Sequence, residues 1–322
     1  MYLAGQVPPE SPPSDRSRAP GGSRAPGVHS GSSRALLSAV ATLAALSLAV
    51  AIVGHGHSLD TDAARAASPP PAAARSADGA LLYRVVGCRS TGALAHREGP
   101  RRMEVAIGFD DGPWTDTPAF VTMLQRNHAI ATFFMIGRQL SAAQRPLLLR
   151  ELRAGDLLGD HTYSHPDLTR IGPAAVRAQL HQAIDAIRAD SGYTPCLFRP
   201  PYGADDASVS RIARSLGLST VLWNVDPADY TQPGTGAIEQ RVLAQVRPGS
   251  IIISHDGGGP RGQTLAAYPG IIRKLRARGY RIVTMLEMFG YRPVYEPCIK
   301  LCDGLGLARL QLPRGAIIAP AP

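Results

Sequence analysis

From about Met103 onward the chain alternates short apolar runs with longer amphipathic stretches. The runs VAIGF, ATFFMIG, CLFRP, STVLWNV, SIIIS and YRIVTM read as strands, being five to seven residues long and rich in β-branched and aromatic positions. Between them, helices are predicted over residues 117–127, 142–154, 173–190, 205–216, 236–247 and 265–278. Val176, Leu180, Ile184 and Ile187 repeat at helical spacing and mark one core-facing stripe. Gly155, Gly192, Gly217 and Gly279 stand just past helix ends, where a left-handed residue closes the last turn. Strands and helices alternating at this spacing imply an α/β fold on a parallel sheet, wound flat or closed into a barrel. In both forms the chemistry collects at the C-terminal ends of the strands.

The first eighty residues carry another pattern. Residues 35–54, ALLSAVATLAALSLAVAIVG, are uncharged and long enough to span a bilayer. The stretch before them is rich in Pro, Ser and Gly and carries Arg16, Arg18, Arg24 and Arg34, which by the positive-inside rule keeps it cytoplasmic and exports the remainder of the chain. The expected organisation is therefore a disordered leader over 1–34, a transmembrane anchor or signal segment over 35–54, and an Ala/Pro-rich linker over 55–80. An N-terminal extension of the folded region over 81–102, a catalytic domain over 103–292 and a Cys-containing tail over 293–322 complete it. The absence of a small-x-small cleavage pattern directly after the apolar run favours a retained single-pass anchor over a cleaved signal. Either way the folded region faces an oxidising space, where Cys88, Cys196, Cys298 and Cys302 allow three full pairings. A bond from Cys88 to Cys298 or Cys302 would tie the ends of the folded region together. Cys196, preceding an apolar strand, reads equally as a buried free thiol. The net charge of +9 comes from scattered arginines with no basic block and no aromatic-basic platform, which argues against a nucleic-acid partner. No obligate protein partner is evident; the partners expected are a membrane and a substrate.

Ionisable groups sit at several of the predicted strand ends. IGFDDGP places Asp110 and Asp111 side by side before a Gly-Pro break. A polar turn is one reading of this pair. The other divides the labour, with Asp111 holding a cation and Asp110 taking a proton beside it, because a bound cation offsets the repulsion between adjacent carboxylates. HTYSH spaces His161 and His165 four apart, which on a helical turn puts both imidazoles on one face. With Asp111 they make a set of two histidines and one carboxylate with positions open to water, as catalytic zinc needs. The same ligand set serves non-haem iron oxygenases, but that chemistry gives no role to Asp110, Arg199 and His255. Arg199, in FRPPYG, is placed to brace a carboxylate; His255, ending SIIISH, is a candidate general acid. In WNVDPADY either Asp226 or Asp229 would orient an imidazole.

Five ordered motifs, FDDG, HTYSH, RPPYG, DPADY and IISHD, resemble those of the polysaccharide deacetylase family, the NodB-homology domain of carbohydrate esterase family four, over residues 103–290. The resemblance implies a distorted (β/α) barrel, a divalent metal (usually zinc, with cobalt or another divalent ion able to serve) and removal of acetyl groups from N-acetylated sugars. It implies Asp110 as base, Asp111, His161 and His165 as metal ligands, and His255 as acid. It further implies Arg199 as the residue positioning the base, Asp226 as the residue tuning the acid, and the Tyr202 backbone N–H as oxyanion donor. Two departures stand out. Gly108 replaces a common Thr, a change expected to be neutral, and Tyr230 replaces a Trp that would wall the acetyl pocket. The expected substrate is peptidoglycan or another wall or capsular N-acetylglucosamine polymer, outside the membrane. An O-acetyl polysaccharide esterase with the same parts is the alternative, and a non-catalytic wall-binding module a more distant one.

Overall fold

The computed structural model describes residues 83–90, 95–297 and 317–319. The leader, the apolar segment 35–54, the linker, Cys298 and Cys302 lie outside the described residues. Among the described residues no helix is long and apolar enough to cross a membrane.

The chain opens with β1 (Tyr83–Arg89) and the short β2 (Ala95–His96), then β3 (Glu104–Gly112), α1 (Thr117–Arg126) and β4 (Thr132–Met135). Next come α2 (Arg145–Ala154), β5 (Leu157–Asp160), α3 (Pro173–Ser191), β6 (Leu197–Phe198), α4 (Ala207–Ser215) and β7 (Ser219–Val221). The second half supplies α5 (Thr235–Gln245), β8 (Ser250–His255), α6 (Gly262–Ala277), β9 (Arg281–Val283), α7 (Met285–Phe289), β10 (Arg292–Pro297) and β11 (Ile317–Ile318).

Eight strands form one parallel sheet in the order β2-β7-β6-β5-β4-β3-β8, with β9 also paired to β3. Beyond β7 the chain bridges β8 at Val225 and Ile252, so the sheet curls into a half-barrel. The alternation read from the sequence is thus that of a parallel α/β fold. β3 is central and buried on both faces, which is why VAIGF reads as a continuous apolar run. Phe109 on β3 packs against Phe120, Phe133 and Tyr268, joining α1, β4 and α6 to the sheet. The α3 stripe Val176, Leu180, Ile184 and Ile187 is buried. Gly155 and Gly192 are left-handed at the C-caps of α2 and α3, satisfying carbonyls that the helix ends leave open.

A second sheet, β1-β10-β11, lies outside this pattern. β1 pairs antiparallel with β10, so the expected domain boundary at 292 falls at the start of a strand and the chain's early and late segments meet there. Cys88 on β1 is disulfide-bonded to Cys196, just before β6. This corrects both readings of the cysteines: Cys196 is not a free thiol, and Cys88 does not reach into the tail. The bridge Gly87–Thr194 brings β1 alongside the turn before β6, and that contact makes the pairing.

Candidate active site

β3, β5, β6 and β8 deliver their C-terminal ends to one place. Asp110 pairs in register with His255 on β8 and with Phe134 on β4. At the next residue the register with β4 slips, and Asp111 bulges with φ 72°. The bulge undoes the strict alternation of a strand and lets neighbouring carboxylates share a site. Aspartate tolerates this left-handed backbone better than most residues. The loop after β8 presses onto the bulge. Asp256 and Gly257 donate their N–H groups to the Asp110 carbonyl at 3.1 and 3.3 Å. A Cβ on Gly257 would lie 2.0 Å from the Asp111 carbonyl oxygen, so this position admits only glycine.

His161 and His165 come after β5 but do not sit on a helix. Thr162 and His165 are left-handed, with φ 67° and 65°. The turn is held by side chains: Thr162 N–H donates to Asp160 Oδ1 at 2.7 Å and His165 N–H to Thr162 Oγ1 at 2.9 Å. Pro166 comes next, and the residue before a proline is disfavoured in the α region, a signal against a helix that the histidine spacing does not carry. The turn nevertheless brings both imidazoles to Asp111. His165 Nε2 is 3.2 Å and His161 Nε2 3.5 Å from Asp111 Oδ1.

Asp111, His161 and His165 therefore each present one ligand atom, all within 4.8 Å of one another. Asp111 Oδ1 is buried and makes no well-formed hydrogen bond, the state of an acceptor aimed at a cation. Burial alone would raise the Asp111 carboxyl, but the two imidazoles hold it well below the usual carboxylate range. His161 Nδ1 lies 2.6 Å from the Arg199 carbonyl oxygen, which can only accept; Nδ1 therefore carries a proton, and Nε2 is the ring nitrogen turned towards Asp111. The donor set fits a divalent metal ion of the zinc type.

Asp110 stays apart from this trio. Its Oδ1 accepts from Arg199 Nη1 at 2.7 Å, while its Oδ2 is 4.0 Å from His161 Nε2. Arg199 is fully buried, donates through Nε to the Val221 carbonyl at 3.1 Å, and lays its guanidinium 4.2 Å over the Phe134 ring. Gly108 makes room for it. A Cβ there would meet Arg199 Nη1 at 2.4 Å, so a side chain at this position would require the guanidinium to shift.

Across the site His255 is also buried, with Nδ1 2.8 Å from Asp229 Oδ1. Asp229 Oδ2 accepts from the His255 backbone N–H and from Thr264 Oγ1, both at 2.9 Å. Burial would lower the imidazole, but Asp229, with Asp111 and Asp110 behind it, pushes it up to about 10. Asp226, expected in this role, does not take it. Its Oδ1 accepts the Ala228 N–H at 2.7 Å, and the left-handed Ala228 then turns the chain so that Asp229 reaches β8. Asp-Pro is a common turn opening, and that was the local sign that Asp226 is spent on the turn.

Tyr202 is left-handed, φ 60°, and sets its hydroxyl 3.2 Å from His165 Nδ1. Tyr230 stands edge-on to His255, ring centroids 5.7 Å apart. Three further residues support the site without showing that role in the sequence, Asp256 among them although it closes the IISHD motif. Asp256 is buried behind the bulge as the acceptor of Thr117 Oγ1, its carboxyl raised to about 7 by burial, against the Thr117 bond, with Asp111 and Asp110 adding to the rise. Arg261 donates from Nε to the Gly257 carbonyl at 2.6 Å and from its backbone N–H to Asp116 Oδ2 at 2.9 Å, clamping the glycine loop. Thr264 buttresses Asp229.

Comparison with known proteins agrees with this geometry. The sequence profile of the family described as polysaccharide deacetylase matches residues 97–221. The chain is 40% identical over 199 residues to the chitooligosaccharide deacetylase of Sinorhizobium fredii, covering 58% of this chain and 92% of that one. It is 35% identical over 188 residues to the peptidoglycan-N-acetylglucosamine deacetylase PgdA of Listeria monocytogenes, over 58% of this chain; the match spans only 39% of that longer protein. The crystal structure of the Bc1960 peptidoglycan N-acetylglucosamine deacetylase, in complex with 4-naphthalen-1-yl-N-oxidanyl-benzamide, superposes with a TM-score of 0.59 at 31% identity, over 62% of this chain and 94% of that one. Half-barrel, ordered motifs and near-complete coverage of a 40%-identical relative place this chain in the polysaccharide deacetylase family.

Proposed function

We propose that the chain hydrolyses the acetamide of N-acetylglucosamine residues in a polysaccharide, releasing acetate. The observation that carries this reading is the separation of two proton-handling groups on either side of one cation site: Asp110 braced by Arg199, and His255 braced by Asp229. A divalent ion held by Asp111, His161 and His165 would polarise the acetyl carbonyl and make water a stronger acid. Arg199 occupies Asp110 Oδ1, so Asp110 Oδ2 is the oxygen that takes the proton from the attacking water. His255, protonated at neutral pH with Nδ1 tied to Asp229, gives its Nε2 proton to the departing sugar amine. The Tyr202 backbone N–H is proposed as a donor to the tetrahedral oxyanion, a contact whose loss costs roughly 3–4 kcal/mol in other hydrolases.

The relatives named above as acting on peptidoglycan and chitooligosaccharides support N-acetylglucosamine polymers as the substrate class. We place the catalytic region outside the cytoplasmic membrane, attached through residues 35–54. The uncharged run behind an arginine-bearing leader supports this, as does the Cys88–Cys196 disulfide, which belongs to an oxidising compartment. Wall or capsular glycan is then the polymer within reach. Tyr230 beside His255 favours a second activity on O-acetyl groups, because a phenol walls the acetyl pocket less fully than the larger indole.

The test is acetate release by the full-length chain, purified in detergent and loaded with zinc, from peptidoglycan, chitooligosaccharides and O-acetylated xylan. Release from the N-acetylated glycans, abolished by chelation and restored by zinc or cobalt, is expected. A zinc-loaded chain inert on every N-acetylated glycan would overturn the proposal. A reporter fused after Pro322 should be active only outside the cell.

A further inference from the structure

Residues 199–203 serve both histidines of the cation site as well as the base. The Arg199 side chain braces Asp110, and the Arg199 carbonyl accepts from His161 Nδ1. The Tyr202 hydroxyl lies 3.2 Å from His165 Nδ1, with the two rings nearly perpendicular and their centroids 4.7 Å apart. We propose that this hydroxyl is a positioning group for the metal centre: it accepts the Nδ1–H of His165 and so fixes the tautomer whose Nε2 lone pair faces Asp111. The inference rests on the metal site proposed above.

Proton accounting sets the direction of this bond. His165 can ligate through Nε2 only if the ring's single proton is on Nδ1. An Nδ1–H facing plain solvent leaves tautomer and ring angle loose. A hydrogen-bond acceptor at Nδ1 fixes both and makes Nε2 a better donor to the metal. A carbonyl does this for His161. A phenol can donate or accept, and with Nε2 committed to a cation it accepts.

The backbone holds the phenol there against its own preference. Tyr202 has φ 60° and Gly203 φ 65°, consecutive left-handed residues. For a tyrosine that conformation is unfavourable and persists only where surrounding contacts impose it. Trp223 closes on Gly203, where a Cβ would sit 2.9 Å from Cη2, so the turn cannot relax in that direction. The turn aims the Tyr202 ring at His165, with about half of the residue still open to solvent.

Tyr202→Phe removes the hydroxyl and keeps the ring. Zinc affinity of the full-length chain, measured by competition with a chromophoric chelator, should weaken roughly 10-fold, the low end of the range for partners of metal-bound histidines because this one is partly exposed. The visible bands of the cobalt form, which report ligand geometry, should shift. Tyr230→Phe, at the ring beside His255, should leave zinc affinity unchanged. The metal-free melting temperature of Tyr202→Phe should match the parent, since a half-exposed hydroxyl supports no core. Parental zinc affinity and an unchanged cobalt spectrum in Tyr202→Phe would overturn the inference while leaving the site standing. A parent chain without measurable zinc affinity would overturn the metal site itself, and this inference with it.

Discussion

Asp229 and Asp226 make opposite predictions for the pH dependence of catalysis. His255 is raised from 6.5 to about 10, and Asp229 is the largest of the carboxylates that raise it. That interval is a net of roughly 5 kcal/mol favouring the imidazolium, left after Asp229, Asp111 and Asp110 have overcome the opposing effect of burial. A cation held by Asp111 would offset the share of Asp111 and Asp110, leaving Asp229 as the main charge that keeps the proton on the ring. Asp229→Asn removes that charge and should lower the His255 pKa by about 1–3 pH units, the usual effect of one close opposite charge. His255 donates only while protonated, so the basic limb of kcat/KM moves to lower pH. Above both limbs activity falls up to about tenfold for each pH unit of that move. The amide also turns a donor towards either the His255 N–H or its Nδ1–H, at a stability cost of about 1–3 kcal/mol. Asp226→Asn should do neither, because its oxygen caps Ala228 and Asn caps the same turn. The assays are pH–rate profiles of both variants on a chitooligosaccharide and NMR titration of the His255 ring. A basic limb that moves in Asp226→Asn and stays in Asp229→Asn would refute the reasoning.

The adjacent carboxylates should separate by metal content: Asp111→Asn loses zinc, while Asp110→Asn keeps it and loses roughly 10²–10⁴-fold in kcat, as measured by elemental analysis beside kinetics. Gly108→Thr drives a Cβ into Arg199 Nη1 and should lower kcat without lowering zinc content, because the braced carboxylate moves and the ligands do not. Asp156 is raised to about 7 by burial against the Ala131 N–H bond, so the folded chain holds a proton that the unfolded chain releases near pH 4. Stability should therefore fall as pH rises from about 4 to 7. Asp156→Asn, which keeps the acceptor, should remove up to about 3 kcal/mol from the difference in urea-unfolding stability between pH 5 and pH 8.

Period and glycine placement made most of the parallel sheet legible, because β3 and β8 are buried on both faces and announce themselves as apolar runs. β5 did not. LLGD is four residues long, and its Gly159 lies where a Cβ would meet the Phe134 ring at 2.4 Å, a packing reason invisible in one dimension. β1 and β10 escaped because a half-exposed edge ribbon carries no clean alternation, and with them went the disulfide, which depends on β1 lying beside the turn before β6.

In the site, the groups that do chemistry were legible because only a few side chains can carry a charge or bind a metal. What holds those groups was not. His161 is held by the Arg199 carbonyl, Arg199 by the Val221 carbonyl, and Arg261 by the Gly257 carbonyl. A carbonyl is the same acceptor whatever residue bears it, so this layer leaves no mark in the sequence. Where the supporting layer is made of side chains, the sequence offers a choice that only the fold resolves: Asp226 or Asp229 behind His255, a backbone N–H or a phenol from Tyr202. The bulge at Asp111 is of the same kind. The sequence shows a strand that must break after two acids; the slipped pairing and the glycine loop pressed against it decide that both acids face inward. Substitutions in this supporting layer should therefore leave the metal ligands, the base and the acid in place and still alter the enzyme, with Asp229→Asn acting through a proton, Gly108→Thr through the brace on Asp110 and Tyr202→Phe through the metal.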